Sequence, residues 1–184
     1  MTQELRVGIV GCVSSYSLYY ARIFAEMPGV ALGGAAHLGR SPKQIEEAWN
    51  LPWLGKEPNT LEEYAARYNV RLYEQPEELI EAENLDAVCI TTEDYLRTHH
   101  ALRAIARGMH VFVPKPFASS RADAERMFDA ANAQDVVLLG SLPLRFSDAY
   151  IAANAAIDEG ALRLASDFET GQLYLEIYTR AGKE

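Results

Sequence analysis

His110-Val111-Phe112-Val113-Pro114-Lys115-Pro116-Phe117, HVFVPKPF, starts as an apolar run and stops at a lysine held between two prolines. A short apolar run bounded by turn residues is the pattern of a strand buried on both faces of a sheet. The flanking prolines restrict the backbone and fix the direction in which Lys115 leaves the strand. That makes Lys115 either a working residue at the mouth of a sheet or a solvated charge on a stiff loop. The surrounding sequence bears on which.

Strand-like and helical patterns alternate along the chain. Leu5–Val10 and Asp86–Thr91 are continuous apolar runs, and Val30–Ala36 is a third, weakened by Gly33-Gly34. Tyr20, Ile23, Phe24 and Met27 recur at helical spacing until Pro28-Gly29. Ser41-Pro42-Lys43-Gln44 carries a capping residue, a proline at the first helical position and a glutamine able to reach back. Thr60-Leu61-Glu62-Glu63 opens another helix, Val70–Tyr73 reads as a short strand, and 76–83 as a short helix. Leu102, Ile105 and Ala106 mark a helix ended by Gly108, and Ala124, Met127, Phe128 and Ala131 line the face of the next. Val136–Gly140 reads as a strand, and Ser147 caps a helix running to Gly160. The alternation predicts an α/β fold: a Rossmann-type doubly wound parallel sheet with a short C-terminal strand-containing appendage. In that appendage Leu173, Leu175 and Ile177 alternate with Tyr174, Glu176 and Tyr178. A lone strand is unstable, so this one is expected to pair with the main sheet or with another chain, which opens a homodimer reading.

Composition narrows the partners. Hydrophobic residues make up 49 %, enough for a full core. Acidic residues outnumber basic ones 26 to 17, and the net charge of −9 argues against nucleic acid and anionic membranes. No apolar run is long enough to span a bilayer, and the opening MTQELRVGIV does not read as a signal peptide. Cys12 and Cys89 lie in apolar runs and read as buried free thiols, consistent with a cytoplasmic protein.

In a doubly wound sheet, ligands sit beyond the carboxyl ends of the strands. The first turn, Gly8-Ile9-Val10-Gly11-Cys12-Val13-Ser14-Ser15-Tyr16-Ser17, therefore matters most. Of a Gly-x-Gly-x-x-Gly fingerprint starting at Gly11, only Gly11 is present. Val13 stands where pyrophosphate approaches the backbone, and Tyr16 where helix and strand pack closely. On these residues alone a dinucleotide site and a bare strand–helix corner stand level. Ser14 and Ser15 remain able to donate to a phosphate at the helix N-terminus. After the second strand, no acid awaits an adenosine ribose. His37 takes that place, and Arg40 with Ser41 suits a 2′-phosphate, pointing to NADP more than NAD. An ordinary surface arginine is the alternative. His99 and His100 lie on one helix about 100° apart, so no metal site is expected from them.

Taken together, LRVGIVGC, LDAVCITTEDYLRTHHALRAIARGMHVFVPKPFA and VVLLGSLPLRF resemble the N-terminal domain of the glucose–fructose oxidoreductase/inositol dehydrogenase/rhizopine-catabolism (Gfo/Idh/MocA) family. The resemblance spans about residues 4 to 160, and its most specific part is Gly108 to Ala118. It implies an NAD(P)-dependent oxidoreductase acting on the hydroxyl of a sugar-like or cyclitol substrate. Lys115 would be the catalytic polar group, with Gly8, Gly11, Cys12, Val13, Ser14, Ser15, His37, Arg40, Ser41, Thr91, Thr92, Lys115 and Pro116 around NADP or NAD. A cis Lys115–Pro116 bond also belongs to the family pattern. The departures are specific. Pro114 replaces the glutamate of Glu-Lys-Pro, and Thr92, Glu93, Asp94 and Arg97 stand where the family tends to have Thr-Pro-Asn and His. Residues 1–145 are expected to form the NAD(P)-binding domain, and 146–184 a helix and strand appendage, a truncated remnant of the substrate domain. The second reading is a non-catalytic Rossmann-like binding or interaction module that has lost the substrate domain, with cofactor binding either kept or lost.

Overall fold

A computed structural model describes residues 4–50, 58–160, 162–166 and 173–177. Six strands form one parallel sheet: β1 (Leu5–Val10), β2 (Val30–Ala36), β3 (Arg71–Tyr73), β4 (Ala87–Ile90), β5 (His110–Val113) and β6 (Leu138–Gly140). Their order is β3-β2-β1-β4-β5-β6, the doubly wound arrangement expected, with the topological switch point between β1 and β4.

The helices split between the two faces. On one face α1 (Ser15–Glu26), α2 (Pro42–Trp49) and α3 (Leu61–Tyr68) bury Leu18, Ala21, Ile45, Trp49 and Tyr64 against Ile9 and Cys89. On the other α4 (Pro76–Ala82), α5 (Asp94–Ala106) and α6 (Arg121–Ala133) bury Leu79, Ile80, Ala101, Ile105 and Met127 against Val10, Val88 and Val111. Full burial of one such aliphatic side chain is worth roughly 1.5–3 kcal/mol before entropy is counted. The start signals act as read: Ser41 and Gln44 form a reciprocal capping box, and Thr60 Oγ1 accepts from Glu63 N.

The Gly33-Gly34 pair has a packing cause. Register slips between Val7↔Leu32 and Gly8↔Gly34, so Gly33 is the extra residue of a bulge. A Cβ on Gly33 would lie 2.4 Å from Leu85 Cδ2, and one on Gly34 2.7 Å from Leu79 Cδ1. The glycines thus let α4 and the chain following it lie close on β2.

The sixth strand begins two residues later than its sequence pattern. Val136 N closes helix α6 by donating to Ala131 O, and Val137 N donates to His110 Nδ1. Those donors are spent before the strand starts.

The chain divides into two compact units, residues 1–141 and 142–184. In the second, a short 3-10 turn (Pro143–Phe146) precedes α7 (Asp148–Asp158), whose N-cap Ser147 accepts from Tyr150 N. Then β7 (Leu162–Ser166) pairs antiparallel with β8 (Leu173–Ile177). This corrects the expected pairing: β8 joins a strand of its own unit, 162–166, which the sequence pattern did not reveal. The expected burial of Leu173, Leu175 and Ile177, and the strand ends at Gln172 and Thr179, lie outside the described residues. No helix among the described residues is long and apolar enough to cross a membrane.

Candidate functional site at the carboxyl edge

The turn after β1 is held tightly from both neighbouring strands. Gly11 and Cys12 both donate their backbone N–H to Ala36 O, at 3.0 and 2.7 Å. Val13 N donates to Gly11 O at 2.8 Å, and Thr91 Oγ1 donates to the same oxygen at 2.8 Å. Gly11 has φ +109°, and a Cβ there would sit 2.6 Å from Thr92 N, so only glycine fits. Helix α1 then starts at Ser15, with Ser14 as N-cap making no side-chain capping bond and no acid in the first turn. Its N-terminus carries the partial positive charge of the helix dipole.

The other predicted groups of this turn differ in use. Cys12 is fully buried, and burial pushes its thiol up to about 12, only partly offset by the Tyr64 hydroxyl. Its side chain belongs to the core. Gly8 lies in the middle of β1, where a Cβ would meet Leu85 Cδ1 at 2.6 Å, so it serves packing. Val13 is half-buried and lines a pocket of about 450 Å³ with Arg40, Gln44, Glu47, Ala48 and Glu93.

Across that pocket Arg40 forms an ion pair with Glu93, the N-cap residue of α5. The second carboxylate oxygen of Glu93, Oε2, is buried without a hydrogen-bond partner among the described residues, and so is His37 Nδ1. A buried polar atom left unpaired costs about 1–3 kcal/mol, so Glu93 Oε2 is a place for an incoming donor and His37 Nδ1 for a donor or an acceptor, according to its tautomer. Ser41 is engaged in capping α2. The expected Arg40–Ser41 receptor for a 2′-phosphate therefore consists of two side chains already in use.

Lys115 follows β5, two places from β1 in the parallel sheet, so it and the α1 N-terminus share the carboxyl edge. The lateral separation is roughly 10 Å, two strand spacings. Its side chain is exposed, and the Lys115–Pro116 bond is cis. What holds this loop is Arg97. Its side chain is 4 % exposed. It donates from Nε to Thr92 O at 3.0 Å and from a guanidinium nitrogen to Pro114 O at 3.3 Å and to Pro116 O, and it pairs with Asp94 at 3.1 Å. One guanidinium thus ties the carbonyls on both sides of Lys115 to the end of β4. Burial lowers the Arg97 pKa, with Asp94 working against the shift. Phe117 stacks on Phe128 at 5.3 Å and closes the far side of the loop.

Arg97 and Glu93 are the residues bracing this edge that pattern reading missed. Both were visible only as departures from a family motif. The usable signal was a charge on the apolar face of α5, in register with Ala101 and Ala104.

Thr92 is also buried, and its hydroxyl lies 3.4 Å from His100 Nδ1. Burial lowers the His100 pKa to about 4, further aided by His99 and Arg103 and opposed by Glu77. The sign follows from linkage. Between the ordinary value of 6.5 and about 4, the unfolded chain holds a proton that the native chain lacks. Stability should therefore fall as pH drops through that window, with a slope of up to about 1.4 kcal/mol per pH unit. Denaturant melts at stepped pH without added metal should show this, and His100→Gln should flatten it. An unchanged slope in that variant would assign the acid sensitivity elsewhere.

Comparison with known proteins accords with this geometry. Residues 5–141 match the model of an oxidoreductase family, GFO_IDH_MocA, described by its NAD-binding Rossmann fold. Myo-inositol 2-dehydrogenase of Thermotoga maritima is 28 % identical over 92 residues, 50 % of this chain and 28 % of the relative. Scyllo-inositol dehydrogenase from Lactobacillus casei, solved with NAD(H) and scyllo-inositol, superposes with a TM-score of 0.68 at 19 % identity, over 86 % of this chain and 42 % of that one. A 3-ketoreductase from Actinomadura kijaniata, solved with TDP-benzene and NADP, gives 0.70 at 20 % identity, over 89 % and 46 %. The two structures carry the fold alone. The chain spans less than half the length of each of these relatives.

Proposed function

Because the chain belongs to the GFO_IDH_MocA oxidoreductase family with its NAD-binding Rossmann fold, we propose that it supplies the dinucleotide site and the catalytic lysine of an NAD(P)-dependent oxidoreductase acting on a cyclitol or sugar-like hydroxyl. The observation that carries this is the shared edge: an α1 N-terminus without acidic residues and the Arg97-clamped Lys115 loop open on the same side of one sheet. The orphaned Glu93 Oε2 and His37 Nδ1 fit the hydroxyl-rich half of a dinucleotide. Bound there, a nicotinamide dinucleotide would supply the hydride acceptor or donor for the reaction.

The chain's own residues do the rest. Ser14, Ser15 and the first turn of α1 would hold the pyrophosphate, where the helix dipole favours negative charge. Lys115 hydrogen-bonds the reacting hydroxyl, stabilises the developing alkoxide and takes part in moving its proton. Arg97 keeps that lysine aimed by fixing the two prolines around it. For the cofactor, NAD(H) is the better fit. Arg40, which the sequence pointed toward NADP, is occupied by Glu93. We place the protein in the cytoplasm, which suits its buried free thiols.

Val13 supports the second reading, a Rossmann module without catalysis, because a side chain stands where the fingerprint has glycine and lines the pocket beside this turn. Binding separates the two. A ligand that binds only the native state stabilises it by about 2.7 kcal/mol at a hundredfold excess over its dissociation constant. Melting temperature should rise with millimolar NADH, and Val13→Gly should raise it further. If neither NADH nor NADPH moves the melting temperature of the parent chain or of Val13→Gly, the non-catalytic reading stands.

A further inference from the structure

We propose that Glu77, His99 and His100 form a zinc site that staples α4 to α5 directly behind the cofactor turn. Glu77 lies on the first turn of α4, and the two histidines lie in the middle of α5. Glu77 Oε1 is 3.1 Å from His99 Nε2 and 3.7 Å from His100 Nε2, and one ligand atom from each of the three residues falls within 4.8 Å of the others. A tetrahedral zinc with bonds of about 2.0–2.1 Å holds its ligands roughly 3.3 Å apart. Small side-chain rotations close that difference.

The sequence expectation, that neighbouring helical histidines diverge by about 100°, holds for the start of each side chain and fails for its tip. The imidazoles are long enough to turn back toward one another. Their ring centroids lie 5.2 Å apart, and both present Nε2 to the same carboxylate.

The surroundings suit a metal ligand set. Two imidazoles and one carboxylate favour zinc over magnesium or calcium, which prefer all-oxygen sites. The Thr92 hydroxyl, 3.4 Å from His100 Nδ1, orients that ring and leaves Nε2 for the ion, the usual arrangement behind a metal-bound histidine. His100 is held neutral at pH 7 by burial. Burial works to raise the Glu77 pKa, but its own backbone N–H and the two histidines hold it below the usual carboxylate range. His99 is 61 % exposed, so the remaining coordination position faces water. One turn along, Glu81 on α4 meets the cation of Arg103 on α5. At Glu77 two neutral-capable imidazoles take the place of a fixed cation.

This site stands apart from the dinucleotide reading and can succeed or fail without it. The intact chain, stripped with chelator and titrated with zinc chloride near pH 7.5, should take up one zinc per chain. Its melting temperature should rise by several degrees, with magnesium and calcium giving no shift. Glu77→Gln and His99→Ala change side chains outside the core, so both should fold, and each should weaken zinc at least tenfold. Cobalt(II) in place of zinc should give a visible spectrum without thiolate charge transfer. The proposal is overturned by no uptake at tens of micromolar zinc, by uptake that either variant leaves unchanged, or by a thiolate band placing the ion on Cys12 or Cys89. The first of these outcomes would leave Glu77 and His99 as a simple hydrogen-bonded pair.

Discussion

Replacing Arg97 with leucine is expected to cost about 3 kcal/mol of stability and, with it, the alignment of the lysine loop. Three backbone carbonyls, of Thr92, Pro114 and Pro116, receive their hydrogen bonds from this one guanidinium. A hydrogen bond to a charged donor contributes about 1.5–3 kcal/mol, and a buried carbonyl left bare costs about 1–3. Against that loss stands the cost of holding Arg97 charged in a site where it is 4 % exposed. Swapping a whole buried ion pair for apolar groups is often neutral, because both partners go. Here the acceptors are backbone and stay behind, so the loss should dominate. For a chain of this size the melting temperature should drop by roughly 6–12 °C. Lysine should not rescue it, since an ammonium cannot span carbonyls on two strands as a planar fork does. A loss below 1 kcal/mol for Arg97→Leu, or full rescue by Arg97→Lys, would mean that the prolines hold the loop by themselves.

Arg97 also shows how far residue patterns reach. The sheet was legible because its strands are continuous apolar runs and its helices open on capping residues. Each of these is a local signal, and β1, β2 and β5 fall where those signals place them. The lysine at the mouth of β5 was legible for the same reason. The support around it was not. Arg97 reaches Pro114 and Pro116 across 17 and 19 residues, and Arg40 reaches Glu93 across 53. No local period encodes such pairs. They follow from sheet order, which brings the ends of β2, β4 and β5 to one edge. The same holds for β7, whose pairing with β8 supplies what the β8 pattern alone lacked, and for Glu77, which closes on two histidines from another helix.

The Arg40–Glu93 pair should decide between the two dinucleotides. On the proposed reading, Glu93 would meet an incoming adenosine ribose with a carboxylate whose Oε2 has no donor among the described residues. A free 2′-hydroxyl can supply one, as the acid after the second strand does in many dinucleotide folds. A 2′-phosphate brings further negative charge against that carboxylate and finds Arg40 already neutralised. Two unit charges about 4 Å apart near a protein surface interact by about 4 kcal/mol at an effective dielectric of 20. Solvent at this partly exposed pair reduces that figure. Glu93→Gln removes the repulsion, releases the guanidinium and keeps the side-chain volume. The ratio of NADPH to NADH affinity should then rise about thirtyfold, equivalent to ~2 kcal/mol. Arg40→Ala in the same background should return NADPH to weak binding. Calorimetric titration with both dinucleotides at low salt reads the ratio directly. Raising the ionic strength to 1 M should shrink the gain, because the Debye length falls to about 3 Å. Equal changes for NADH and NADPH in Glu93→Gln would remove the carboxylate from any part in cofactor choice and leave the pair as a brace between the loop after β2 and the start of α5.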